Sequence, residues 1–399
     1  MPTERNILAA TEELLSRGVT EVVVKKHLAE RLRSGKKLRV KLGIDPTGPK
    51  VHLGRAIPLW KLRAFQDLGH QAVLIVGDFT AQVGDPSDKL SKRPMLTSEK
   101  IKQNMATYQV QLGKILDMPK VEWRYNSEWL TKLSFLEIAR LAESFSLQQM
   151  LARRNFKERL GKQDDISLRE LMYPLMQGYD SVAVQADVEI GGFDQLFNLL
   201  AGRKIQEHYG KEQQDILTTQ MLEGTDGRKM STSWGNVVTI VDEPNEMFGK
   251  LMAVKDELVP KYLLLCTRLP EAEVKQISKS MKGAGAKAAK VKMASEIVTL
   301  YHSAKAAQQA AAEFNSVHRD KAMPTEVPTV KIPAGKKKLA ITDLLVHVKL
   351  ASSKAQARRL VEQGGVKVGG KVISDWRAEV ALKSGLVIQV GSRKFAKLA

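Results

Sequence analysis

Five stretches of this 399-residue chain carry side chains whose types and spacing could do chemistry. The first is Gly43-Ile-Asp-Pro-Thr-Gly-Pro-Lys-Val-His-Leu-Gly-Arg55. Leu38-Arg-Val-Lys-Leu42 before it alternates like a strand, and Ala56 to Leu68 after it is apolar at helical spacing (Ile57, Leu59, Trp60, Leu62, Phe65). A strand, a Gly/Pro-rich loop and a helix starting near His52 and Gly54 aim a positive helix end and backbone N–H groups into a crevice, where a polyphosphate can sit. Gly54 lets a flat ring or ribose approach the backbone; such a loop can also simply turn the chain. The second stretch runs from Gly77 to Arg93, with Asp85 at its start and Lys89, Lys92 and Arg93 beyond. It reads as a solvated basic loop or as a flap bringing cations over a phosphate chain, with the acid suited to an ammonium. The third is Tyr173-Pro-Leu-Met-Gln-Gly-Tyr-Asp180, where Tyr173, Gln177 and Asp180 fall on one helix face. An isolated helix would expose that face, but Leu171, Met172, Leu175, Met176 and Val182 flank it. Buried polar groups need partners, and a ligand can supply them. The fourth is Asp187-Val-Glu-Ile-Gly-Gly-Phe-Asp-Gln195, a short strand ending in two glycines, and the fifth is Gly227-Arg-Lys-Met-Ser-Thr-Ser-Trp-Gly235.

These stretches need a scaffold. Ala72-Val-Leu-Ile-Val76 is a continuous apolar run, the mark of a strand buried on both faces of a parallel sheet. With the strand and helix before it, this makes a βαβ unit, whose ligands lie beyond the C-terminal strand ends. Residues 3–34 read as helical, with Leu8, Leu14, Leu15, Val22, Leu28 and Leu32 buried. Residues 97–160 read as largely helical around a strand at Val121-Glu-Trp-Arg-Tyr125, and residues 243–315 as helical, punctuated by Pro260 and Pro270. Pro174 suits the first turn of its helix. Met323 to Gly335 holds three prolines and reads as a linker.

Lys and Arg total 63 against 44 Asp and Glu, a net charge of +19, which points to a polyanionic partner or a basic surface. Residues 336–399 carry 14 Lys and Arg against 4 Asp and Glu, so +10 of that charge sits on the last 64 residues. There Ser353 can cap a helix to Glu362, with Lys354, Arg358 and Arg359 along it, and Gly369-Gly370 signals a hairpin. The single cysteine, Cys266, excludes an internal disulfide and a paired-thiolate zinc site, and no protein metal site is expected. No signal-peptide pattern and no run of about 18 apolar residues occurs, so a cytoplasmic location without a membrane is expected.

Together, His52-Leu-Gly-Arg55 and Lys229-Met-Ser-Thr-Ser233 resemble the paired signatures, HIGH and KMSKS, of class I aminoacyl-tRNA synthetases, and the residues between resemble the tyrosyl branch over nearly the whole chain. The resemblance implies an α/β protein: a Rossmann-like parallel-sheet catalytic domain with a helical connective insertion that often carries a dimer contact (1–240), an α-helical anticodon-side domain (241–322), the linker (323–335), and a small α+β RNA-binding domain (336–399) like the module named after the ribosomal S-four protein. It implies that Asp85, Tyr173 and Gln177 help hold the ammonium of L-tyrosine, that Gln195 approaches the amino acid, and that Asp180 accepts from the phenol. It also implies that Asp194 takes the ribose of ATP, near Thr47, Gly54, Lys229, Ser231 and Thr232. Lys354, Arg358 and Arg359 would meet tRNA(Tyr) through phosphate contacts.

The implied reaction makes tyrosyl-adenylate and then esterifies the terminal adenosine of the tRNA. An ionised carboxylate attacks the α-phosphorus without a general base. What needs stabilising is charge growing on the β- and γ-phosphates, for which His52, Thr47, Lys89, Arg93 and Lys229 are candidates, with magnesium on the ATP. Four residues depart from the family pattern: Arg55 for the final His, Thr232 for the second Lys, Phe193 for a small hydroxyl residue, and Lys41 where many bacterial relatives have a hydroxyl-reading Tyr. Arg55 could partly replace the cation lost at Thr232. Two other readings are a tryptophanyl-type synthetase and an RNA-binding paralogue with impaired catalysis.

Overall fold

The computed structural model describes residues 4–87, 95–231, 234–281, 283–319, 327–333, 337–391 and 394–399. They form two compact units, Met1–Ser303 and Ala304–Ala399.

The first unit is built on a six-stranded sheet of β1 (Val19–Val23), β2 (Arg39–Ile44), β3 (Gln71–Val76), β4 (Val121–Tyr125), β5 (Val188–Gly192) and β6 (Asp215–Thr219), in the order β1-β6-β5-β2-β3-β4. β6, β5, β2, β3 and β4 are parallel, while β1 runs antiparallel along β6. Val40, Leu42, Val73, Leu74 and Ile75 are at most 3% exposed, as a sheet covered on both faces requires. Helix α3 (Leu53–Asp67) buries Leu53, Ile57, Leu59, Leu62 and Phe65, each worth about 2 kcal/mol of transfer free energy. The chain leaves β2 through α3 toward β3, whereas β5 and β6 lie on the other side of β2. This reversal opens a crevice beyond the C-terminal ends of β2 and β5.

The N-terminal segment differs from its reading as continuous helix. It forms α1 (Glu4–Ser16), β1 and α2 (Lys25–Arg33), because Val19 to Val23 completes the β6 edge. Leu14, Leu15, Leu28 and Leu32 are buried, but Leu8 is 38% exposed and Val22 is half-buried in the strand. The helix carrying Tyr173 also starts earlier than expected. It spans Leu168–Ala183, with Ser167 and Glu170 forming a reciprocal capping box, so Pro174 lies inside the helix rather than in its first turn.

In the second unit, helices Ile341–His347 and Lys354–Glu362 pack with a small sheet on Leu344, Leu345, Ala357, Val361 and Ile388. Ser353 accepts from the Gln356 N–H as the N-cap. Val366–Val368 and Lys371–Val372 pair around Gly369 and Gly370, both at positive φ as a two-residue hairpin turn requires. The proline-rich stretch is not wholly a linker: Thr329–Val330 pairs in parallel with Lys394–Leu398. No helix among the described residues is long and apolar enough to cross a membrane.

Candidate active site

A cavity of about 270 Å3 lies at the β2/β5 strand ends, lined by Gly43, Ile44, Gly191 and Gly192 among others. Thr47, His52, Gly54, Arg55, Asp85, Tyr173, Gln177, Asp180, Asp194, Gln195 and Lys229 all line it. The structure therefore brings together residues from all five stretches. Ser231 is not in the lining; its backbone N–H donates to Asn236 Oδ1 at 2.8 Å. Lys89, Arg93 and Thr232 lie outside the described residues.

Backbone hydrogen bonds explain how the His52 and Lys229 segments meet. Leu53 N–H donates to the Val238 carbonyl and Ile240 N–H to the Val51 carbonyl, both at 2.9 Å, across a bridge between His52 and Thr239. Asn236, almost fully buried, ties the intervening loop by donating to Asp226 Oδ1 (2.9 Å) and the Lys229 carbonyl (3.0 Å). The Arg228 guanidinium is held by Asp226 and lies 4.8 Å from the Trp234 ring centre.

His52 caps α3, its Nδ1 accepting the Arg55 N–H at 3.3 Å. Burial, reinforced by the Arg55 charge, drops the imidazole to a pKa of about 3. The ring is neutral at pH 7, and with Nδ1 accepting, Nε2 carries the proton and can donate to a phosphate oxygen. Arg55 donates from Nη2 to Thr47 Oγ1 at 2.6 Å and from Nη1 to the Tyr108 hydroxyl at 3.4 Å. Its longer arm is thus braced against the wall of the first loop.

The other end of the cavity is acidic. Asp45 accepts from Thr80 Oγ1 (2.7 Å) and the Tyr173 hydroxyl (2.8 Å), and burial lifts its pKa to about 6. Burial, then the nearby Asp45 and Asp85 charges, holds the Tyr173 phenol in its protonated, donating form. Gln195 Nε2 donates to Asp85 at 2.7 Å and its Oε1 accepts from Asn198 at 3.0 Å. Asp180, 3% exposed, accepts from Trp129 Nε1 (2.8 Å) and Asn126 Nδ2 (3.3 Å), and burial raises it to about 7 despite those bonds and Lys41. A neutral donor and cations at one end and buried carboxylates at the other suit a molecule with an ammonium and a hydroxyl beside a polyphosphate.

Sequence reasoning passed over Asp45, Thr80, Asn126 and Trp129. Asn126 directly follows β4, so the strand-end rule could have flagged it. Lys41 is fully buried and absent from the lining, so it does not stand at the cavity. Phe193 is 43% exposed and does not line the cavity.

Residues 33–319 match the sequence model of the family described as tRNA synthetases class I (W and Y), and residues 320–393 that of the tyrosine–tRNA ligase SYY-like C-terminal domain. The tyrosine–tRNA ligase of Thermotoga maritima is 46% identical over 390 residues, covering 97% of this chain and 96% of that protein. The one from Dehalococcoides mccartyi is 43% identical over 389 residues, 97% and 98% of the two chains. Among solved structures, a C-terminally truncated mitochondrial tyrosyl-tRNA synthetase from Coccidioides posadasii aligns with a TM-score of 0.61 at 25% identity, over 77% of this chain and 91% of that one. The Archaeoglobus fulgidus tyrosyl-tRNA synthetase, solved with L-tyrosine, shares the fold at a TM-score of 0.61 and 20% identity, over 76% and 99% of the two chains. The chain belongs to the class I aminoacyl-tRNA synthetase family of tryptophanyl and tyrosyl enzymes, and is a ligase that uses ATP. Within that family it falls with the tyrosine–tRNA ligases rather than the tryptophanyl ones.

Proposed function

We propose that this chain activates L-tyrosine with ATP at the β2/β5 cavity and passes the tyrosyl group to the terminal adenosine of tRNA(Tyr). The observation that carries this is the convergence of His52, Arg55 and Lys229 on one cavity with the buried carboxylate of Asp180. Asp180 reads the phenol hydroxyl, and Asp85, Tyr173 and Gln177 hold the ammonium with Gln195 beside it. Asp194 takes the ribose, Gly54 leaves room for the nucleotide, and Thr47, Ser231 and Thr232 complete its binding. His52, Arg55, Lys89, Arg93 and Lys229 stabilise the phosphate charge that grows as pyrophosphate leaves. Magnesium arrives on the ATP, held by phosphate oxygens, which suits a phosphate side furnished with cations and a neutral imidazole.

The basic C-terminal module takes the tRNA. Lys354 is paired with Asp343 at 2.6 Å, and Arg358 with Glu362 at 2.7 Å while stacking on Trp376. Among the described residues no carboxylate pairs with Arg359, which makes it the readiest of the three for a phosphate. A cytoplasmic homodimer is part of the same reading. Phe135, Leu136 and Leu147 of the helical insertion are 87%, 60% and 57% exposed, an apolar surface suited to a second copy. Sedimentation at micromolar concentration would show a dimer, and a monomer would remove that element.

Amino-acid-dependent ATP–pyrophosphate exchange with tyrosine, tryptophan and phenylalanine tests the activity. Exchange with tyrosine alone is expected. Exchange with tryptophan would favour the tryptophanyl reading, and inertness toward all three the RNA-binding paralogue.

A further inference from the structure

Lys41 lies on β2, and across the parallel pairing its register partner on β5 is Glu189. Both side chains are fully buried, and Lys41 Nζ stands 2.8 Å from Glu189 Oε1. The same ammonium donates to the Gln177 carbonyl and to Ser181 Oγ, each at 2.8 Å. An ammonium has three hydrogens, so its capacity is filled. Glu189 in turn accepts from Gln177 Nε2 (3.1 Å), Ser181 Oγ (3.2 Å) and Gln214 Nε2. The pair therefore grips the Leu168–Ala183 helix by the main chain and side chain of Gln177 and by Ser181, the turn that carries Asp180.

A buried ion pair is a poor way to gain stability, since well-packed apolar residues of similar volume often do as well. What it supplies here is geometry. Neither charge lines the cavity, yet Leu42 and Ile190, their immediate chain neighbours, both do. The pair sits one residue below the floor of the site, at the point where the strand order reverses.

We propose that Lys41 and Glu189 are positioning residues for the amino acid substrate, fixing how far Gln177 and Asp180 stand above the sheet and how the Gln177 amide is turned. This rests on the reading of Gln177 and Asp180 as tyrosine-binding residues. It also gives Lys41 a role different from that of a tyrosine at the same position. The lysine acts on the substrate through the helix instead of touching the hydroxyl.

The test is pyrophosphate exchange by the full-length protein carrying Lys41→Met with Glu189→Gln, which leaves no buried charge, and by Ser181→Ala, which removes one oxygen from the same cluster. The double variant is expected to raise the KM for tyrosine about tenfold and Ser181→Ala about threefold, with the KM for ATP within about twofold of wild type. Ser181→Ala leaves one buried Lys41 hydrogen unpaired, so its unfolding midpoint should fall while its KM for ATP holds, and it decides the matter should the double variant not fold. Variants with an unaltered tyrosine KM, or with both KM values and the unfolding midpoint shifted together, would overturn the positioning role. A wild-type protein that exchanges with a different amino acid would instead overturn the reading of the site on which it rests.

Discussion

His52 and Thr239 pair across a two-bond antiparallel bridge, although 187 positions separate them in the chain. The bridge is the reason that the two signature segments share a cavity: it fixes the start of α3 against the strand-like segment following the Lys229 loop. The meeting of the two segments thus rests on main-chain bonds, which tolerate side-chain substitution nearby, such as Arg55 three residues beyond His52.

Asp180→Asn should erode discrimination against phenylalanine. The carboxylate proposed to accept the phenol is replaced by an amide, which faces the Asn126 Nδ2 donor. Loss of a hydrogen bond to a charged group corresponds to a fall of roughly 10- to 100-fold in the tyrosine-to-phenylalanine ratio of kcat/KM. An unchanged ratio would remove Asp180 from that role.

Burial raises Asp45 to about 6 and Asp180 to about 7. Both hold protons more readily folded than unfolded, so their stabilising contribution is full below about pH 4 and is lost as pH rises through 6 and 7. The stability deficit of Asp180→Asn relative to wild type, measured by urea unfolding, should shrink between pH 5 and pH 8 by on the order of 2 kcal/mol. In the kinetics, the wild-type KM for tyrosine should rise as pH falls below 7, where Asp180 loses its charge. A pH-independent deficit would show that Asp180 is ionised throughout.

Arg55 is braced by Thr47, and on the proposed reading its charge replaces part of the cation missing at Thr232. Arg55→His should lower kcat for activation about tenfold. Thr232→Lys should then restore more activity in the Arg55→His background than it adds to wild type. Equal gains in both backgrounds, read from a double-mutant cycle of exchange rates, would show that the two positions act independently.

Two glycines make contrasting predictions. A Cβ on Gly77 would lie 2.0 Å from Asp45 Oδ1 and 2.2 Å from Thr80 Oγ1, so Gly77→Ala must break that pair and should destabilise by about 1–3 kcal/mol in denaturant melts. At Gly54 an added Cβ would meet the His52 ring at 3.2 Å and Met230 Sδ at 3.4 Å, a tight but adjustable fit. Gly54→Ala should therefore change stability by less than about 1 kcal/mol while raising the KM for ATP.

The parallel core and its first loop were legible because their signals are local. β2, β3 and β4 are short apolar or β-branched runs, and Tyr173, Gln177 and Asp180 follow one helical period. β1 was hidden because Val19 to Val23 lies between two leucine-rich helical stretches, and its strand character comes from the β6 edge it meets. β6 offers only Ile216 and Leu217 as an apolar pair. The Lys41–Glu189 pair was beyond local reading altogether, since a strand order that sets β5 beside β2 brings together residues 148 positions apart. Asp45 was overlooked for a related reason: its partners Thr80 and Tyr173 come from two other elements.

On the proposed reading, the two nitrogens of the His52 ring serve different ends, Nδ1 capping the helix and Nε2 facing the reaction. Replacing the imidazole would loosen the first turn of α3 and deprive the leaving phosphates of a donor in a single stroke, so lost turnover in such a variant cannot be credited to chemistry alone. Asparagine, a good helix cap on a shorter arm, would spare the architecture while falling short of the substrate.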